Sequence, residues 1–150
     1  GTKITDHANI IDDSYNSSPK AAQEALKTLI ELGKGKKKIA VLGEMRDLGN
    51  LSELSHEELG KFIAKTRINH LITVGRKAST IGVSAKKNKF KGKIISTKNT
   101  NETIKTIKPL VSKKSLVLIK GSRHEHLERI VYGLIHKSTH INCYHCGELK

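Results

Sequence analysis

Residues 116–123, Leu-Val-Leu-Ile-Lys-Gly-Ser-Arg, contain the pattern that decides the fold. Four consecutive apolar residues, two of them β-branched, run directly into a polar turn that contains a glycine. An apolar run without alternation is typical of a strand that is covered on both faces, as in a parallel sheet. The stretch therefore predicts a buried parallel strand with the turn Lys120–Arg123 at its carboxyl end.

The same strand pattern recurs along the chain, and helical patterns lie between the strands. The other apolar runs are 8–11, 39–42, 71–74 and 93–95. The resulting order, βαβαβαβαβα, predicts an α/β fold. We expect an open, mostly parallel, doubly wound (Rossmann-like) sheet with helices on both faces.

The predicted helices have recognisable start and stop signals. Ser18 suits an N-cap, Pro19 a first helical residue and Gly33 a helix end. Two further starts match a capping box, Ser55 with Glu58 and Ser122 with Glu125. Weaker patterns predict helices over 78–87 and 101–111, with Pro109 closing the second.

Length and composition predict one ordinary domain. The chain has 150 residues, 36% of them apolar, and lacks an apolar run of the roughly 18 residues that a transmembrane helix needs. The N-terminus has no secretory signal pattern, and two cysteines near the end form no disulfide framework. We expect a cytoplasmic domain over 1–137 and a tail over 138–150.

The strong positive charge raises the question of a nucleic-acid partner. Lys and Arg number 28 against 14 Asp and Glu, a net charge of +14, and aromatic residues make up 3%. The lysines are spread along the chain with clusters at 34–38 and 86–93, few cations are Arg, and aromatic residues do not interleave with them. Base readout and stacking favour Arg and aromatic side chains. We therefore expect a solvated basic surface, no nucleic-acid partner and no membrane partner, with a basic module that binds RNA or membrane surfaces as the alternative.

Polar loops follow the predicted strands at what would be one edge of the sheet: 12–19, 43–49, 75–77 and 120–123. Ligands bind at the carboxyl edge in such folds. Lys120, Gly121 and Arg123 around a helix start would suit a carboxylate or phosphate, although Ser122 could simply cap the helix. Paired carboxylates at Asp12 and Asp13 could bind ribose hydroxyls or a metal ion, or form an Asx turn.

Other sites are disfavoured by spacing. No phosphate-binding P-loop and no dinucleotide-binding glycine motif occurs, and no arrangement supports a hydrolase. His136, His140, Cys143 and Cys146 are the ligand types that zinc prefers, but the short spacing makes a single site awkward. We expect an unstructured tail there.

Four ordered blocks resemble a known family. Residues 11–19 resemble I-D-D-S-Y-N-A-N-P, and 41–49 with His56 resemble V-L-G-D-M…E-L-G…H. Residues 74–75 resemble T-V-G, and 119–123 with Leu127-Glu128 resemble V-K-G-S-R…M-E. These are signatures of the C-terminal domain of Mur ligases, specifically those that add D-alanyl-D-alanine to UDP-N-acetylmuramoyl-tripeptide. Ser17-Ser18, Glu44 and Leu127 are mild departures; Glu44 is one methylene longer than the family's Asp.

The resemblance implies a role in peptidoglycan-precursor synthesis. The family uses ATP and Mg²⁺ to form an acyl phosphate, which the amine of D-alanyl-D-alanine attacks, and its C-terminal domain closes over a central ATPase domain. By position, Asp13, Tyr15 and Asn16 would contact ATP. Lys120, Gly121, Ser122 and Arg123 would face the dipeptide or the reacting phosphate.

The chain lacks the family's central and N-terminal domains, so we expect a monomeric fragment that folds alone, binds no cofactor by itself and has no ligase activity. We assign it no catalytic or metal-binding residue. The alternatives are another Mur or folylpolyglutamate synthase-type ligase, whose first-loop motif differs, and a freestanding nucleotide-binding domain.

Overall fold

The fold is taken from a computed structural model that describes residues 3–4, 9–135, 141–143 and 147–149, with side chains for 9–135. The strands are β1 Lys3–Ile4, β2 Ile10–Asp13, β3 Lys37–Leu42, β4 His70–Val74, β5 Lys93–Thr97, β6 Ser115–Lys120, β7 Ile141–Cys143 and β8 Gly147–Leu149. The helices are α1 Pro19–Leu32, α2 Ser52–Ala64, α3 Ser79–Lys87, α4 Thr100–Ile107 and α5 Glu128–Leu134. Single 3₁₀ turns occupy Gly49–Leu51, Lys108–Leu110 and Arg123–Glu125.

The predicted fold class is confirmed. Six strands form one sheet in the order β1-β2-β6-β3-β4-β5. Every adjacent pair in the row β2-β6-β3-β4-β5 is parallel. Within this sheet only β1, which the sequence did not predict, pairs antiparallel, and its partner is β2. Strand β6, which contains the apolar run 116–119, is inserted between β2 and β3 and is buried along its whole length.

Helices cover both faces because strand residues alternate in direction. In β6, Leu116 and Leu118 join a cluster formed with α1, α2 and α3. Val117 and Ile119 join the opposite cluster, formed with α4 and α5. Each central strand is therefore apolar on both sides, which explains the uninterrupted apolar runs.

Of the three helix-start predictions, the one at Ser18 is confirmed. Ser18 caps α1 by accepting a hydrogen bond from the Ala21 N–H at 3.2 Å. The capping box predicted at Ser55 is wrong: α2 begins at Ser52, because the 3₁₀ turn over Gly49–Leu51 runs directly into it. The box of Ser122 with Glu125 is present, but it caps a single 3₁₀ turn.

The residues after the main sheet bear on two further predictions. β7 and β8 pair antiparallel, so the expectation of an unstructured tail is wrong for these six residues. The side chains of His136, His140, Cys143 and Cys146, where the sequence disfavours a zinc site, lie outside the described residues, and so does the proposed boundary at 137. Among the helices that the structure describes, none has the length and apolar character to cross a bilayer.

Candidate functional site at the carboxyl edge of the sheet

The position of β6 creates a crevice at the carboxyl edge. The helices that follow β2 and β3 pack on one face of the sheet, and the helix that follows β6 packs on the other. The helices that follow β6 and its two neighbouring strands therefore leave this edge toward opposite faces of the sheet. Such a point of divergence is where open α/β sheets bind ligands.

Lys120 ties the first and last loops of this edge together. Its side chain is 2% exposed, and its ammonium lies 3.0 Å from the Asp13 carboxylate. The same ammonium donates a hydrogen bond to the Asn16 carbonyl oxygen at 2.5 Å. In this structure Lys120 is buried beneath the first loop, which it holds in place, and the ligand-facing role suggested by the sequence stays a prediction.

Arg123 and Tyr15 form the exposed part of the junction. The guanidinium lies 5.4 Å from the centre of the Tyr15 ring and donates a hydrogen bond to the Tyr15 hydroxyl at 3.3 Å. Tyr15 is 65% exposed. A cation over an aromatic face is stabilising, and both groups remain available to solvent.

These loops line an open cleft of about 540 Å³. Of the predicted site residues, Tyr15, Asn16, Ser122 and Arg123 line it, together with Arg46 and other residues of three loops. Asp13, Lys120 and Gly121 do not. A Cβ on Gly121 would collide with Leu127, so this glycine allows close packing of the turn. The close approach of a ligand at Gly121, which the sequence suggests, stays a prediction.

Glu125 is a site residue that sequence reasoning treated only as a cap. Its carboxylate lies in a gap that exists because Gly43 and Gly121 have no side chains. It accepts hydrogen bonds at 3.3 Å from the backbone N–H and the hydroxyl of Ser122. Burial raises the pKa of Glu125 to about 7, and the nearby Glu44 carboxylate adds to the rise, although hydrogen bonds to the ionised form oppose it.

Glu125 changes how the predicted anion site should be interpreted. The turn after β6 already holds the Glu125 carboxyl group against the Ser122 N–H. Positive charge for a ligand therefore comes mainly from Arg123 at the surface of the cleft, because Asp13 neutralises Lys120 and Glu44 pairs with Arg46.

His56 contacts the loop 43–49, which contributes Arg46 to the lining of the cleft. The Met45 N–H donates to Nε2 of His56 at 3.0 Å, so the ring proton resides on Nδ1, which lies 2.6 Å from the Ser52 carbonyl oxygen. The ring is 1% exposed. It therefore holds the loop 43–49 against the start of α2, and the sequence indicated this residue only through the family resemblance.

Comparisons with known proteins identify the family of the chain. The sequence profile described as "Mur ligase, glutamate ligase domain" matches residues 2–123. UDP-N-acetylmuramoyl-tripeptide–D-alanyl-D-alanine ligase of Bacillus subtilis is 35% identical over 127 residues, which cover 85% of this chain and 28% of that protein. The ligase of the same name from Buchnera aphidicola (Acyrthosiphon pisum) is 32% identical over 86% of this chain and 27% of its own length.

Solved structures show the same relationship. MurF from Acinetobacter baumannii aligns with a TM-score of 0.75 at 26% identity, over 91% of this chain and 29% of that one. MurF from Thermotoga maritima, determined in complex with ADP, aligns with a TM-score of 0.73 at 29% identity, over 91% and 30%. The chain thus spans less than a third of the curated relatives that it matches. From its sequence blocks, its sheet order and these matches, the chain belongs to the Mur ligase family.

Proposed function

We propose that this chain is the C-terminal domain of an ATP-dependent ligase that adds D-alanyl-D-alanine to UDP-N-acetylmuramoyl-tripeptide. The observation that carries the proposal is the junction of the first and last loops, where Lys120 binds Asp13 and Arg123 lies over Tyr15. The two sequence blocks that most resemble the ligases are thereby brought to one cleft. The names of the relatives support the same substrates.

The cleft suits part of a nucleotide site. Tyr15 offers an exposed ring, Asn16 an exposed polar side chain, and Arg123 a cation that could pair with a phosphate. When bound, ATP would supply the phosphoryl group that activates a carboxylate. Within the described residues no group of three or more His, Cys, Asp or Glu side chains could hold a metal ion, so we assign no Mg²⁺ ligand to this domain.

The contribution of this chain to the reaction is positioning. Lys120 and Glu125 hold their loops from beneath, so that Arg123 and Asn16 present their polar groups from a fixed frame. Orientation of reactants contributes roughly 7–11 kcal/mol to the best intramolecular reactions. A domain that closes over an ATPase domain and carries such a frame would contribute by this route, with no catalytic side chain of its own.

A domain exchange tests the proposal. The segment of the Bacillus subtilis ligase that matches this chain is replaced by the chain, and ATP-dependent ligation of D-alanyl-D-alanine to the tripeptide is measured. We expect activity from the chimera and none from the isolated chain. Arg123→Ala should lower kcat/KM of the chimera by roughly 10- to 100-fold, as for loss of one charged hydrogen bond.

Arg67→Ala provides a matched control, because Arg67 is also exposed but lies before β4 at the opposite edge of the sheet. Its kcat/KM should equal that of the unaltered chimera. A folded chimera that ligates nothing, or one in which both substitutions reduce kcat/KM equally, would contradict the proposal.

A further inference from the structure

Half of the cationic residues lie in four segments that lead into four strands. The segments are 33–38 before β3, 65–70 before β4, 86–93 before β5 and 108–115 before β6. They contain 14 of the 28 Lys and Arg residues: Lys34, Lys36, Lys37, Lys38, Lys65, Arg67, Lys86, Lys87, Lys89, Lys91, Lys93, Lys108, Lys113 and Lys114. None of the 14 Asp and Glu residues falls in these segments, so the rest of the chain is balanced and the four segments carry the net charge of +14.

The fold gathers these segments on one edge of the sheet. β6, β3, β4 and β5 are adjacent and parallel, so the residues that precede them emerge side by side at the amino edge. The candidate ligase cleft is at the carboxyl edge, one strand length away, or about 17–20 Å. A partner bound at the amino edge would therefore leave the cleft accessible.

The centre of this edge is a cleft of about 380 Å³. Its lining includes Lys37, Arg67, Lys91 and Lys93 around the buried His70. The four cations are exposed, and no ion pair within residues 9–135 involves any of them. Burial lowers the pKa of His70, and Lys37 and Lys93 lower it further, so positive potential is concentrated here without neutralisation.

We propose that the amino edge of the sheet is a docking surface for a bilayer that contains anionic phospholipids. The charge lies along a row of adjacent strand starts and is not confined to one pocket, which matches an extended plane of phosphate groups. Each Lys or Arg near such a surface strengthens binding by about fivefold. This inference is independent of the ligase assignment.

A nucleic acid fits the edge less well. Thirteen of the fourteen cations are Lys, which is a hydrated point charge, and Arg67 alone has the fork that reads base edges. Phe90, the aromatic residue within the four segments, is buried and offers no stacking surface. The sequence led us to expect no membrane partner because the lysines are scattered along the chain; their convergence becomes apparent only from the order of the strands.

Vesicle co-sedimentation at low salt tests the proposal. The chain is mixed with vesicles of phosphatidylcholine alone, or of phosphatidylcholine with phosphatidylglycerol. We expect binding to the anionic vesicles only. The triple variant Lys37→Gln, Lys91→Gln, Lys93→Gln should bind them roughly a hundredfold more weakly, from three charges at about a fivefold effect each.

A matched triple variant, Lys27→Gln, Lys61→Gln, Lys98→Gln, removes the same charge from exposed positions in α1, in α2 and beyond the end of β5. It should bind close to the level of the unaltered chain. The proposal fails if the anionic vesicles do not bind, or if the two triple variants weaken binding equally. It also fails if a single-stranded RNA oligomer binds the same edge more tightly at equal salt. Circular dichroism confirms that both variants remain folded.

Discussion

Replacing Glu125 with Gln should stabilise the fold above neutral pH and leave it nearly unchanged in acid. Burial raises the pKa of this carboxyl from 4.5 to about 7. The folded state therefore favours the protonated form, and the associated stability is present below about pH 4.5 and lost as the pH rises through 7. Glutamine stays neutral at every pH and keeps an oxygen that can accept the Ser122 hydrogen bonds.

The size of the effect follows from the pKa. Each pH unit between the unfolded and folded pKa values corresponds to about 1.4 kcal/mol, which gives about 3 kcal/mol in total. Because Glu125 is not fully buried, we expect about 2–3 kcal/mol. The difference in unfolding free energy between the Glu125→Gln variant and the unaltered chain should therefore grow from near zero at low pH to this value under mildly alkaline conditions.

Urea unfolding, monitored by circular dichroism over this pH range, measures the difference directly. Glu31→Gln, an exposed carboxylate in α1, is the control and should show no such growth. Removing the charge of the neighbouring residue with Glu44→Gln should move the transition of the unaltered Glu125 to lower pH. A Glu125→Gln variant that is less stable at alkaline pH, or whose advantage does not vary with pH, would refute the argument.

Three further outcomes follow from the same contacts. Lys120→Met should lower the unfolding free energy by about 2–3 kcal/mol in urea titrations, since Asp13 and the Asn16 carbonyl lose their buried partner, whereas exposed Lys20→Met should change it little. His56→Ala should cost about 2–4 kcal/mol and speed hydrogen exchange of the Met45 amide, which would stay protected if the loop were held otherwise. Lys37→Gln together with Lys93→Gln should raise the pKa of His70 in an NMR titration; an unchanged pKa would mean that the two charges do not converge on His70.

Much of the fold follows from the sequence because the strands are buried on both faces. Uninterrupted apolar runs such as 116–119 have few structural options, and the helix α1 between two of the strands has a recognisable start at Ser18. The order of the strands in the sheet does not follow from such local patterns. Nothing local in the sequence states that β6 is inserted between β2 and β3, since that placement depends on which helices cover which face.

The candidate site was predicted at the level of loops and less well at the level of side chains. Residues at the carboxyl ends of strands meet in any parallel sheet, so the loops after β2, β3 and β6 were correctly placed at one edge. Whether a cation there faces solvent or the interior depends on its partner 104 residues away, as for Lys120 and Asn16. The burial of Glu125 likewise depends on space left by Gly43, which is distant in sequence.

The two edges of the sheet differ in how their cations are paired with carboxylates, and this difference bears on both proposals. At the carboxyl edge, two cations of the loops are paired with carboxylates: Lys120 with Asp13, and Arg46 with Glu44 at 3.3 Å. Paired charges hold loops in a fixed geometry, which a site that positions reactants requires. At the amino edge, the four cations of the central cleft have no such partners within residues 9–135, and their free energy of repulsion is relieved only by an external anion or by salt. High ionic strength should therefore weaken vesicle binding at the amino edge far more than it perturbs the loop geometry of the ligase cleft, where Lys120 is shielded from solvent.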